Sequence, residues 1–377
     1  MSDNRICNLP LEKVLFELSK EATLSVFPST DNYFTKYCEV VGQLRREVYD
    51  RVNAGLAALS NQSGLYTDHG KEHYDQVVLY AGKLLGVRDD NVLDIARKIS
   101  NNSWVLKPYE LYLLLLSIRF HDVGNIYGRE NHERNISTVI KSFSVCHLHT
   151  NPLEARKICE IAGAHGGRTI TGSKDTIGFL SENTNSDGHL HDIGFKKLAS
   201  ITRLADEICE NRNRNKRLDR KEIPIHNLVF HVYAHSIVSN FIRDKVLFIK
   251  LEIKHSCLIE KYKVYDKDKD GHDILVDVDM PSVICDRLKK AELERRYCNR
   301  FLSEEIQIKE INVAIDIVAD EKDEHSFTPE LLGQKVFTLK EVDYPTFDDL
   351  SIHSEVREFL DEQCKPLNVQ ISDGVKP

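Results

Sequence analysis

Residues 111–125 read Leu-Tyr-Leu-Leu-Leu-Leu-Ser-Ile-Arg-Phe-His-Asp-Val-Gly-Asn, an apolar run that stops abruptly at an imidazole, a carboxylate and a glycine. Its length and its lack of β-branched enrichment predict a buried helix. Arg119 interrupts it too soon for a span across a bilayer. His121 and Asp122, side by side at the end of such a helix, are costly to bury unless something compensates them. A bound divalent cation is the compensation to expect.

A chain of 377 residues can bury a large core, and its length suggests about two domains. Hydrophobic residues make up 41% and charged residues 29%, as in an ordinary soluble globular protein. The net charge of −8 supplies no global basic field, which disfavours a binder of duplex DNA. The first residues, Met-Ser-Asp-Asn-Arg, lack the apolar core of a signal peptide. Nine cysteines without a Cys-x-x-Cys pair are expected as reduced thiols in a cytoplasmic protein.

Taken in order, residues 11–60 carry two apolar helical stripes and no evident chemistry, so 1–54 is expected as an N-terminal helical layer. Thr67 or Asp68 is a plausible cap for a helix running to Gly86, with His69 and His73 four residues apart. A helix is expected to begin near His132. Another spans residues 152–164, with Leu153, Ile158 and Ile161 on its apolar face and Ala-His165-Gly-Gly at its end. Residues 166–191 are a long polar loop, and Phe195 to Glu210 is a clear helix whose inner face includes Asp206.

Beyond about residue 225 the alternation predicts strands at 229–233, 246–253, 258–265, 274–278 and 311–318, with a helix over 282–305. The tail is acidic, with short helical patches near 329–332 and 353–363. The expected fold is therefore mainly α: a metal-binding helical domain over 55–222, a smaller α/β segment over 223–320 and an acidic tail over 321–377.

Two His-Asp dipeptides occur. His121-Asp122 follows a buried helix, whereas His191-Asp192 follows a polar loop, where Asp192 is a natural helix cap. A metal site needs ligands on packed elements, so the first dipeptide is the stronger candidate. His73 stands on the preceding helix, and Asp206 interrupts an apolar face, either as a salt bridge to Arg203 or as a metal ligand. Imidazoles and carboxylates suit Mn, Fe, Zn, Co or Ni better than Ca.

The ordered set His73, His121-Asp122 and Asp206 resembles the HD superfamily of metal-dependent phosphohydrolases over roughly residues 55–220. The resemblance implies an all-helical fold in which these four side chains bind one metal. Two-metal members add histidines between the His-Asp pair and the last Asp, and His132 and His165 occupy that interval; His147 and His149 rank lower. The chain also looks similar to HD modules of bacterial regulatory and defence proteins.

The implied cofactor is one or two divalent ions (Mn, Fe, Zn, Ni or Mg). Bridged by Asp122, such ions would activate water against a phosphoester of a nucleotide or nucleotide-like substrate. Lys71, Arg129, Arg134 and Arg168 flank the proposed ligands and are expected to neutralise phosphate, while His69 is a candidate general acid. The alternatives are a mixed-valent diiron oxygenase on the same fold and a non-catalytic ligand-sensing or interaction module. A nuclease is a variant of the leading reading, with a small nucleotide favoured over a long strand. A protein partner or self-association is expected to use the C-terminal segment.

Two other signals are weaker. Residues 266–277 place aspartates at positions 1, 3 and 5 of an EF-hand pattern, yet apolar–polar alternation on both sides predicts a β-hairpin turn. The basic run 211–217 reads as a solvated loop or a contact with a partner.

Overall fold

The computed structural model describes residues 7–20, 27–58, 70–181, 193–212, 221, 223–270, 272–320, 329–341 and 352–365. The first nine helices are α1 (Pro10–Ser19), α2 (Tyr33–Glu47), α3 (Tyr49–Ala58), α4 (Lys71–Leu84), α5 (Val92–Ser100), α6 (Pro108–Phe120), α7 (Ile136–Ser142), α8 (Pro152–Gly163) and α9 (Phe195–Ile208).

Helix α6 is the apolar run, and each of its thirteen residues is buried. It starts where Pro108 presets a helical φ at the first position, and the Lys107 N–H donates to Glu110 Oε2 at 2.9 Å. An all-round apolar helix has to be wrapped, and α1, α2, α4, α8 and α9 all pack on it. Each fully buried leucine among Leu111, Leu113, Leu114, Leu115 and Leu116 contributes about 1.5–3 kcal/mol. Glu110 also holds the start of α9, accepting from the Gly194 N–H at 2.8 Å and from Lys197 Nζ at 2.9 Å.

One polar side chain of α6 organises the N-terminal layer. Arg119 is fully buried; it donates to Glu12 of α1 at 2.7 Å, to Asp75 of α4 at 2.6 Å and to the Tyr37 hydroxyl of α2 at 2.9 Å. Tyr37 in turn donates to Glu12 at 2.6 Å, and Arg45 grips both oxygens of Asp75. The layer that shows no chemistry in sequence is thus clamped to the helix that ends in His121.

The second half holds α10 (Leu228–Ser236), β1 (Ile237–Arg243), β2 (Val246–Lys254), α11 (His255–Ile259), β3 (Lys261–Lys267), β4 (Asp273–Asp279), α12 (Met280–Asn299), β5 (Glu310–Val318), β6 (Leu331–Leu339) and α13 (Ile352–Gln363). The larger sheet runs β1-β2-β5-β6, with β2 and β5 parallel and both outer strands antiparallel to their neighbours. Helix α12 lies against α9, joined by Arg203–Glu294 and by Lys290–Glu207 at 2.7 Å.

The mainly α fold with a smaller C-terminal α/β part is as expected, but several elements differ. Residues 229–233 form part of helix α10 rather than a strand. Val229, Val232, Tyr233 and Ser236 are buried at spacings of three, four and seven, which is the helical face. The expected strand at 258–265 begins only at Lys261, because Leu258 belongs to α11. Strand β1 was not expected; its apolar residues 237, 238, 241 and 242 do not alternate. The expected helical patch at 329–332 is instead the start of β6, an outer strand that leaves Leu331 and Val336 exposed. Leu153 is exposed as well, because it lies about 140° around α8 from Ile158; Glu154 and Lys157 are buried in its place. The helix expected near His132 opens with a 3₁₀ turn before α7.

Candidate metal centre

Five chain segments bring six side chains to one place. His73 is the third residue of α4 and His121 caps α6, with Asp122 next in the chain. His132 sits in a 3₁₀ turn entered through Asn131 at φ 55°, and His165 follows the end of α8. Asp206 lies in the last turn of α9. All but Asp206 are buried, and Asp206 is partly buried.

On one side of Asp122, His73 Nε2 lies 3.1 Å from His121 Nε2, 3.5 Å from Asp122 Oδ2 and 3.3 Å from Asp206 Oδ1. His121 Nε2 lies 3.5 Å from each of the same two oxygens. On the other side, Asp122 Oδ1 lies 3.1 Å from His132 Nε2 and 3.5 Å from His165 Nε2, which are 3.2 Å from each other. Donors about 2.0–2.2 Å from a shared cation stand roughly 3–3.5 Å apart, so both groups have ligand-shell spacing. Asp122 belongs to both, one oxygen to each.

Three of the imidazoles are set in the same way. The Nδ1 of His121, His132 and His165 lies 2.7, 2.9 and 2.7 Å from the carbonyl oxygen three residues earlier, Ile118, Arg129 and Ala162 respectively. An Nδ1–H donated to that carbonyl leaves the Nε2 lone pair facing inward, the tautomer a metal requires.

The two groups differ in their electrostatics. Burial acts to lower the His121 pKa, yet the Asp122 and Asp206 carboxylates raise it to about 9. Burial acts to raise the Asp206 pKa, but His121 and His73 hold it well below the usual carboxylate range. At His165 burial lowers the pKa, assisted by His121 and His132 and opposed by Asp122.

Close packing places the second group. A Cβ on Gly124 would stand 1.9 Å from the His132 carbonyl oxygen, so only glycine lets the two turns touch. Gly167, at φ 72°, likewise abuts the Glu133 side chain.

The other expected site residues are spread more widely. Arg129 Nη1 reaches to 3.5 Å from Asp122 Oδ1 and is half-exposed. Arg134 and Arg168 are exposed neighbours, with Arg134 Nη2 3.4 Å from the Arg168 carbonyl oxygen. Lys71 is exposed at the first residue of α4. Thr67, Asp68 and His69 lie outside the described residues, as do His191 and Asp192 and most of the basic run after Asn211.

Arg203 is not the partner of Asp206; it pairs with Glu294, one bond being 2.8 Å. His147 faces Tyr112 at 2.9 Å and Glu154 at 3.3 Å, away from the cluster, and His149 bonds the Cys146 carbonyl. The EF-hand pattern is the β3–β4 hairpin, where Asp268 caps the turn through the Asp270 and His272 N–H groups at 2.9 and 2.8 Å.

Two neighbours had not been singled out. Cys209 stands with His73 and Asp206 in a third grouping of ligand atoms, its Sγ 3.9 Å from His73 Nδ1. Its position three residues after Asp206, one helical turn on, was the available signal. Asn125, three residues after Asp122, is fully buried with neither side-chain amide atom hydrogen-bonded.

Among the described residues no helix is long and apolar enough to cross a membrane. No curated protein and no solved structure matches the chain. The family model HD-CE matches residues 64–307, nearly two thirds of the length, and spans all six converging side chains. The chain belongs to the HD-CE family.

Proposed function

We propose that the protein is a metal-dependent phosphohydrolase acting on a nucleotide or nucleotide-like phosphoester through a two-metal centre. The observation that carries this reading is the position of Asp122, with one oxygen in each of two groups of ligand atoms. His73, His121, Asp122 and Asp206 would hold one divalent cation, and Asp122, His132 and His165 the other. When bound, such a pair supplies Lewis acidity to a phosphoryl oxygen and an activated water at neutral pH.

The protein's own groups have separate tasks in this reading. The carbonyls of Ile118, Arg129 and Ala162 fix the tautomers of His121, His132 and His165, so these three imidazoles need not reorient as the site loads. Arg129 is placed to meet a phosphate beside Asp122, and the exposed pair Arg134 and Arg168 to meet the outer part of a small anionic substrate.

A screen of nucleotides and phosphoesters with added Mn²⁺ or Fe²⁺ tests the activity. Release of phosphate or nucleotide that chelator stops and metal restores is expected. Folded, metal-loaded protein that turns over none of them contradicts the reading, and iron-dependent O₂ consumption would assign the site to oxygenase chemistry.

Gly124→Ala probes the second group separately. The added methyl has to push the His132 turn away, costing about 1–3 kcal/mol. Metal content should fall from two ions to one, with the His73, His121 and Asp206 side still loaded. A variant that keeps two ions would show that the His132 turn does not hold a ligand.

A further inference from the structure

A cleft of about 810 Å³ lies away from the cluster, between the far ends of α4 and α9 and the β1–β2 turn. Lys83 of α4 is ten residues from His73, and Lys197 of α9 is nine from Asp206, so the cleft is roughly 13–15 Å along either helix from the ligands. Its walls carry five basic side chains, Lys83, Arg88, Lys197, Arg243 and Lys245, against two acidic ones, Asp244 and Glu305. In a chain of net charge −8 that is a local reversal of sign.

Two of these cations are in no close ion pair, Lys245 having Glu305 as its more distant carboxylate neighbour. Among the described residues, Lys83 and Lys245 make no ion pair; the Lys83 ammonium rests 4.0 Å from the centre of the Tyr80 ring, and burial lowers its pKa. Lys245 is presented by a two-residue hairpin turn in which Asp244 and Lys245 take φ of 52° and 65°. Such turns favour glycine at the second position, so a lysine there goes against local preference. The Lys245 carbonyl oxygen accepts from the Lys309 N–H at 2.8 Å, which pins the turn at the cleft edge. Trp104, the chain's only tryptophan, is half-buried in the same wall.

We infer that this cleft is a second ligand site that takes a nucleotide, with Lys83 and Lys245 on the phosphates and Trp104 against the base. Its volume is within the range of small-molecule sites. Ammonium groups bind phosphate as point charges, and an indole stacks on any base. The inference stands apart from the proposed hydrolase reading, because no residue of the cleft belongs to the metal-ligand groups.

Trp104 is its own reporter. The full-length protein in EDTA is titrated with ATP or GTP while indole emission is followed with red-edge excitation. Saturable quenching is expected, weakened at least tenfold in Lys83→Gln/Lys245→Gln and unchanged in Asp122→Ala. Calorimetry on Trp104→Leu should show weakened but measurable binding if the phosphate contacts remain. No saturable response, or a response that Lys83→Gln/Lys245→Gln does not weaken, would overturn the inference. So would loss of the response in Asp122→Ala, which would place the ligand at the metal cluster. Pyrophosphate binding as tightly as ATP would overturn the nucleotide assignment.

Discussion

Asp122→Ala is expected to lose both cations and all turnover above background, while single alanine variants of His132 and His165 lose one cation. The difference follows from connectivity. Asp122 supplies an oxygen to each group of ligand atoms, whereas His132 and His165 serve only the second. The remaining His73, His121 and Asp206 lose the oxygen that both imidazoles face at 3.5 Å, and are expected to hold a cation far more weakly. Metal content of the purified variants, read with their activity and thermal midpoints, checks this. An Asp122→Ala protein that is folded and active would place the chemistry elsewhere.

The second large effect concerns stability. Arg119→Met is expected to cost about 3–5 kcal/mol, because it leaves the fully buried Glu12 carboxyl group with no guanidinium beside it. The Tyr37 hydroxyl and the Leu9 N–H, its remaining partners, carry no charge to balance that carboxylate. Replacing both members, Arg119→Met with Glu12→Leu, should recover much of the loss, since two apolar groups of similar size have no charge to desolvate. Denaturant midpoints of the two single variants and the double variant form the required cycle. If Arg119→Met alone proves neutral, the network does not clamp α1 to α6. His121 follows Arg119 by two residues, so the destabilised variant should also hold metal less tightly.

Helix α6 was legible because a long, mostly apolar run ending in His-Asp admits few other conformations. His121, Asp122 and Asp206 were legible as buried polar groups on apolar helical elements, whereas their grouping with His73, His132 and His165 was implied by the resemblance to the HD superfamily. The role of Arg119 was not, since its partner Glu12 is 107 residues away and only packing brings them together. Strands β1 and β6 were hidden for a different reason. They are outer strands, and sparse burial blurs the alternation that marks a strand. Gly124 gives no sign in sequence of the His132 carbonyl packed against it, 124 and 132 being joined only by the fold. The cleft at Lys83 and Trp104 is assembled from five separate segments and leaves no motif.

Anomalous scattering from metal-loaded crystals of the protein tests the central claim most directly. Two peaks are predicted, one among His73, His121, Asp122 and Asp206 and one among Asp122, His132 and His165, about 3.5–4 Å apart with Asp122 between them. A single peak on the His73 side would contradict the two-metal centre, and no peak at either position would contradict the metal assignment itself.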